Sequence, residues 1–160
     1  MNFKKNTIVA TAISVVMLLS GCGSSNGGTI ASATVPEIAK GVTECGVTFN
    51  GITEVPTDRL SAYYGIQDTD YSEGDAYVAG SGGYADEIAI FKASSSDAVS
   101  TIEDALNSRL ESRKNDFKDY VAEQYDILND SKVLVNGDYV CLIVCADNST
   151  AIDTYNSYFE

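Results

Sequence analysis

The chain has 160 residues with 23 acidic against 10 basic side chains, a formal net charge of −13. That balance excludes nucleic acid as a partner, because nucleic-acid binding leaves a basic footprint. His and Trp are absent, which removes the commonest general base and metal ligand and with them most hydrolytic triads and zinc sites.

Residues 1–21 read as an export signal. Lys4 and Lys5 form a charged start, Ile8 to Leu19 form an apolar run of twelve residues, and small Ser20 and Gly21 precede Cys22. A spanning helix needs about 20 apolar residues, so this run is too short for a permanent span. Leu19-Ser20-Gly21-Cys22 resembles the bacterial lipobox, which implies diacylglyceration of the Cys22 thiol and cleavage before it. The expected location is the outer face of the cell membrane, with the lipid as anchor. Two or more acyl chains hold a protein stably where one does so only marginally. Cleavage removes two lysines and no acid, so the mature chain is still more acidic.

Residues 22–33 are rich in Gly and Ser and suit a flexible tether. The domain is expected over residues 34–160, one domain's worth of chain. Pro36 after Thr34 and Val35 opens a helix carrying Ile38, Ala39 and Val42, which ends by Gly46. A short helix is expected from Thr57 or Asp58 to Gly65, and a loop from Ile66 to Gly74. Asp75–Ala79 and Glu87–Ala93 read as strands joined by a Gly-rich turn. Ser94 to Ser96 offers an N-cap for the longest helix, in which Val99, Ile102, Leu106 and Leu110 recur at helical spacing. Glu103, Arg109, Arg113 and Lys114 fall on its solvated face.

A break is expected near Asn115 to Tyr120, then a shorter helix with Val121, Tyr125 and Leu128. Lys132–Val135 and Asp138–Ala146 flank Asn136-Gly137, a strong hairpin signal. The second of these strands is apolar on both faces, as a central strand is. A closing helix is expected from Ser149 with Ile152, Tyr155 and Phe159 on its buried side. The order of elements suggests an internal ββα duplication. The expected fold is α+β, a single four-stranded antiparallel sheet with helices on one face.

Asp86 to Phe91, Arg109 in a long helix, Tyr120 after it, and Gly137-Asp138-Tyr139-Val140 before an apolar strand together resemble the DUF4358 family. The resemblance spans roughly Val35 to Phe159. Where the family carries a proline soon after the tyrosine, this chain has Val121 and Ala122. Membership implies a short lipoprotein of the kind found in Clostridia and related Firmicutes, and it implies no chemistry.

Besides the anchor there are three cysteines, Cys45, Cys141 and Cys145, an odd number that one chain cannot pair fully. Cys141 and Cys145 sit about 13 Å apart on one strand at about 3.3 Å per residue, beyond disulfide reach. A bridge from Cys45 to one of them competes with three small buried thiols. The acidic run from Asp68 to Asp75 fails EF-hand spacing, since Glu73 falls where the turn glycine belongs and Ala79 where the bidentate glutamate belongs. Asp86 and Glu87 are adjacent on a strand and so point to opposite faces, which disfavours a carboxylate pair for glycan hydrolysis.

Ten tyrosines stand against five phenylalanines, and Tyr63, Tyr64, Tyr71, Tyr77 and Tyr84 cluster around the first hairpin. Tyrosine supplies rigid amphipathic contact area, so these five are the candidate binding surface. The expected function is a non-enzymatic binding or interaction module, held at the membrane by lipid, with no cofactor and with an unknown protein or cell-envelope partner. The alternative is a hydrolase of cell-wall glycans that works with carboxylates alone.

Overall fold

The computed structural model describes residues 31–159, and Thr34 caps its first helix. The expected signal segment, Cys22 and the tether up to residue 30 lie outside the described residues. The Glu37 carboxylate accepts from the Thr34 N–H at 2.9 Å and from its hydroxyl at 2.8 Å. This locks the start of helix α1 (Val35–Thr43), whose Val35, Ile38, Ala39 and Val42 are buried.

Strand β1 (Ile52–Glu54) follows, unforeseen from sequence because three residues are too few to display alternation. It is tertiary in origin: it pairs antiparallel with Tyr77–Ala79 of the next strand, and just before it the buried Asp86 carboxylate accepts the Asn50 N–H at 3.1 Å. A single 3₁₀ turn (Thr57–Arg59) leads into α2 (Leu60–Tyr64), which ends at Gly65 with φ of +72°. Strand β2 (Tyr71–Ala79) starts four residues earlier than expected and carries an irregularity between Tyr71 and Glu73. Strand β3 (Glu87–Ala93) has the expected bounds.

Helix α3 (Ser96–Phe117) starts where the Ser95 hydroxyl accepts the Ala98 N–H at 3.2 Å. It runs through part of the expected break, because buried Phe117 lies two turns beyond Leu110 on the same stripe. Helix α4 (Ala122–Asp130) is pinned by buried Gln124, whose Oε1 accepts the Ala85 N–H at 2.8 Å. Strands β4 (Val133–Asn136) and β5 (Tyr139–Val144) form the Asn-Gly hairpin, with Gly137 at a φ of +61°. Helix α5 (Asn148–Asn156) ends in a 3₁₀ turn at Ser157–Phe159.

The sheet therefore has five strands, not four, in the order β1-β2-β3-β5-β4, all antiparallel. Helices cover both of its faces, which corrects the one-face expectation. One face joins Ala76, Ala89, Phe91, Val140 and Leu142 to helices α2, α3 and α4. The other joins Ile88, Ile90, Cys141 and Ile143 to α1 and α5. The physical cause is in the central strands: β3 is buried at every position except Lys92 and β5 is buried throughout, so neither face can meet water.

The duplication is not a structural repeat. A two-fold axis normal to the sheet would superpose the β2–β3 hairpin on the β4–β5 hairpin, but it would leave α3 and α5 on one face. They pack on opposite faces. The two ββα units are therefore of opposite hand, and their likeness is one of element order alone.

A tyrosine and arginine site between two grooves

Glu87 opens β3 on the face that carries Ala89 and Phe91, and it is 2% exposed. A carboxylate there needs a charged partner and hydrogen bonds to remain in place. Arg109, halfway along α3, supplies both. Its Nε lies 2.5 Å from Oε1 and its Nη2 lies 2.8 Å from Oε2, a bidentate fork. The Tyr64 hydroxyl donates to the same Oε1 at 3.0 Å. Burial alone would lower the Arg109 pKa, but the hydrogen bonds and charge of Glu87 outweigh it and hold the guanidinium charged. Burial raises the Tyr64 pKa well above the phenolic range and the Glu87 charge raises it further, so Tyr64 stays a neutral donor.

Tyr63 completes the site from outside. Its ring lies 4.5 Å below the Arg109 guanidinium, and its hydroxyl accepts from Nη2 at 3.2 Å. It meets Tyr64 edge to face at 5.3 Å between centroids. Yet Tyr63 is 43% exposed. It separates two surface grooves. The first, about 490 Å³, lies between α2 and α3 and is bounded by Tyr63, Gly65, Ser108, Arg109 and Ser112. The second, about 340 Å³, lies beside β1 and is bounded by Thr53, Val55, Pro56, Arg59 and Tyr63. The buried ion pair therefore fixes an exposed aromatic ring that both grooves share.

The five tyrosines singled out from sequence do not share one surface. Tyr63 and Tyr84 are each 43% exposed, and each is touched by an α3 arginine, since Arg113 Nη2 donates to the Tyr84 carbonyl at 3.1 Å. Tyr64 is 4% exposed and belongs to the core. Tyr71 stacks edge-on against Phe91 at 5.2 Å, with its hydroxyl 3.1 Å from that of Ser61. Tyr77 packs on the opposite face of the sheet. Tyr120, 73% exposed past the end of α3, is the most open of the large hydrophobic side chains among the described residues.

Arg109, expected on the solvated face of its helix, is instead mostly buried against Glu87, and the pairing of the two was not read from the sequence. The available signal was parity. Glu87 shares a face with Ala89 and Phe91, and a charge on that apolar face requires a partner from the helix packed on it.

The carboxylates proposed for catalysis diverge as expected. Glu87 turns to Arg109, whereas Asp86 turns to Asn50. The loop acids bond locally: Asp70 accepts the Gln67 N–H at 2.8 Å and Asp68 accepts the Ser61 hydroxyl. Among the described residues no group of three or more His, Cys, Asp or Glu side chains gathers to hold a metal ion. Asp75 is 7% exposed and its carboxyl is pushed up to about 6, by burial first and by the nearby Glu54 charge, against the pull of the Ala76 N–H. Neither groove includes it. Cys45, Cys141 and Cys145 are free thiols. Burial raises the pKa of both Cys141 and Cys145, so neither has the character of a nucleophile.

The family described as "Domain of unknown function (DUF4358)" matches residues 47–145, more than half of the chain. The chain belongs to the DUF4358 family. Tyr63, Tyr64, Glu87 and Arg109 all fall within the matched segment, whereas α1 and α5, which cover the other face of the sheet, fall outside it. Neither curated proteins nor solved structures give a match. Among the described residues no helix is long and apolar enough to cross a membrane.

Proposed function

We propose that this DUF4358 protein is a lipid-anchored binding module on the outer face of a cell membrane, and that it captures its partner through the surface centred on Tyr63. The observation that carries the reading is an exposed Tyr63 ring held rigid by Arg109, which is itself held by buried Glu87. Preorganised aromatic side chains bind well because little rotamer entropy is lost on contact. The charged groups beneath the ring saturate one another, which suits a scaffold better than acid–base chemistry. The signal-like residues 1–21 with Cys22, and the Gly/Ser-rich 22–33, support the anchored location and a tether below the domain. The carboxylate hydrolase gains no support from Asp86 and Glu87, whose side chains diverge.

Crosslinking in intact cells tests the reading. The full-length chain is compared with Tyr63→Ser/Tyr84→Ser and with Cys22→Ala. Loss of a specific crosslink in the tyrosine variant, at unchanged folding by circular dichroism, is the expected result. Equal capture by both chains would overturn the assignment of this surface.

A further inference from the structure

β1 lies at one edge of the sheet, and its ladder shows which of its backbone groups are already used. The Gly80 N–H donates to the Gly51 carbonyl at 3.1 Å and the Val55 N–H donates to the Ala76 carbonyl at 2.8 Å. Thr53 sits opposite Val78 between these two bonds. Residues 51, 53 and 55 therefore turn their backbone groups toward β2. By the alternation of an antiparallel ladder, Ile52 and Glu54 turn theirs outward. Thr53 and Glu54 are exposed. An edge with outward N–H and C=O groups is a template for another strand.

The groove shared with Tyr63 runs along this same edge, with Thr53, Glu54, Val55 and Pro56 as its wall. Glu54, which also lines this groove, stands in the ladder opposite Tyr77, whose phenol is raised by burial and by the charges of Asp75, Glu54 and Glu44. Of these, Glu44 pairs with Lys40 at 2.8 Å. Exposed Glu54 and buried Asp75 are left as the acidic groups near Tyr77, in a chain of net charge −13. Arg59 lies on the groove side. The edge thus combines an apolar and aromatic groove wall with an exposed acidic group at Glu54.

We propose that β1 is a docking edge for an extended peptide that adds as a sixth, antiparallel strand, with a basic side chain opposite Glu54 and apolar side chains opposite Thr53 and Val55. This goes beyond the Tyr63 reading: it names a partner chemistry and stands on the edge geometry, sharing only Tyr63 with that surface. Main-chain hydrogen bonds supply attachment and the alternating side chains supply selectivity.

The probe is a fluorescent acetyl-Lys-Val-Lys-Val-Lys amide, titrated by anisotropy into the full chain. Saturable binding is expected, weakened at least tenfold when the central lysine, which lies opposite Glu54, is N-methylated. N-methylation of a valine, whose N–H points away, should change affinity less than twofold. On the protein side Glu54→Pro deletes the outward N–H while keeping the β2 ladder, a placement that edge strands tolerate. It should lower affinity at least tenfold, and Glu54→Gln about fivefold. Absent saturation, or equal loss from both N-methylations, overturns the proposal without touching the protein's fold. The two readings separate: loss of peptide binding with a persistent Tyr63-dependent crosslink fails the edge alone, and the converse fails the Tyr63 surface alone.

Discussion

Arg109 reaches from the middle of α3 to both carboxylate oxygens of Glu87 at the start of β3, and this bond is what fixes Tyr63. The two residues are 22 positions apart in sequence and bridge helix to sheet, with the Glu87 carboxylate buried and the Arg109 side chain partly open to the groove. A bridge of this kind is weak evidence for stability as a pair, and strong evidence that either member alone is costly.

Arg109→Met should destabilise the domain by about 3–5 kcal/mol, because it leaves the Glu87 carboxylate buried without a partner. The double variant Glu87→Leu/Arg109→Met should recover most of that loss. Urea denaturation of the four chains of the cycle reads this directly. A double variant as unstable as the single one would show that the pair contributes more than mutual compensation.

Asp75 makes stability depend on pH. Its carboxyl is raised from 3.8 to about 6 in the folded state, so the folded state binds the proton more tightly than the unfolded chain does. The contribution is fully present below about pH 4 and is lost as pH rises through about 6. Asp75→Asn should therefore be more stable than the parent at pH 7, by up to about 3 kcal/mol, and the difference should vanish near pH 4. Melting temperatures from pH 4 to 8 test both the sign and the window.

Gly74 is needed for space and not for backbone freedom. A Cβ there would lie 2.8 Å from Phe91 Cδ1 and 3.2 Å from Tyr71 Cδ2. Phe91 is fully buried and its ring has nowhere to move. Gly74→Ala should destabilise by about 1–3 kcal/mol through overpacking, with circular dichroism otherwise unchanged. A neutral result in denaturant would show that β2 can shift at its irregular start.

Tyr63→Ser and Tyr64→Ser should separate binding from folding. Tyr63 is half-exposed, so its loss should leave the melting temperature within a few degrees. Tyr64 packs edge-on against Phe91 at 5.3 Å and donates to Glu87. Its loss opens a core cavity and should cost about 3–5 kcal/mol. Parallel melts of the two variants check the contrast.

Thiol labelling at neutral pH should modify half-buried Cys45 well before Cys141 or Cys145. The latter pair are buried, and the Cys145 thiol is pushed up to about 12 by burial and by the Asp86 and Cys45 sites. Mass spectrometry after brief alkylation, with and without denaturant, shows the order. Equal labelling of all three in the native state would contradict the packing of β5.

Local sequence determined α1, the bounds of β3, the start of α3 and the Asn-Gly hairpin, because each is decided by the residues in and beside it: a capping threonine, an apolar run preceded by a Gly-rich turn, a spaced leucine stripe, a turn that needs φ > 0. The sequence also showed β5 apolar on both faces, a pattern that calls for cover above and below the sheet, although the expected fold put helices on one face only. What it could not determine is which helix covers which face, since α3 and α5 each carry an apolar stripe and the choice is made only when both cores close. β1 is held by its ladder to β2 and flanked by the Asp86–Asn50 bond across 36 residues, and no window of three residues contains either. The site is of the same kind. Glu87 and Arg109 are unremarkable charges until the fold buries one and points the other at it, and at that point electrostatics in a dry interior decides what the tyrosine above them presents.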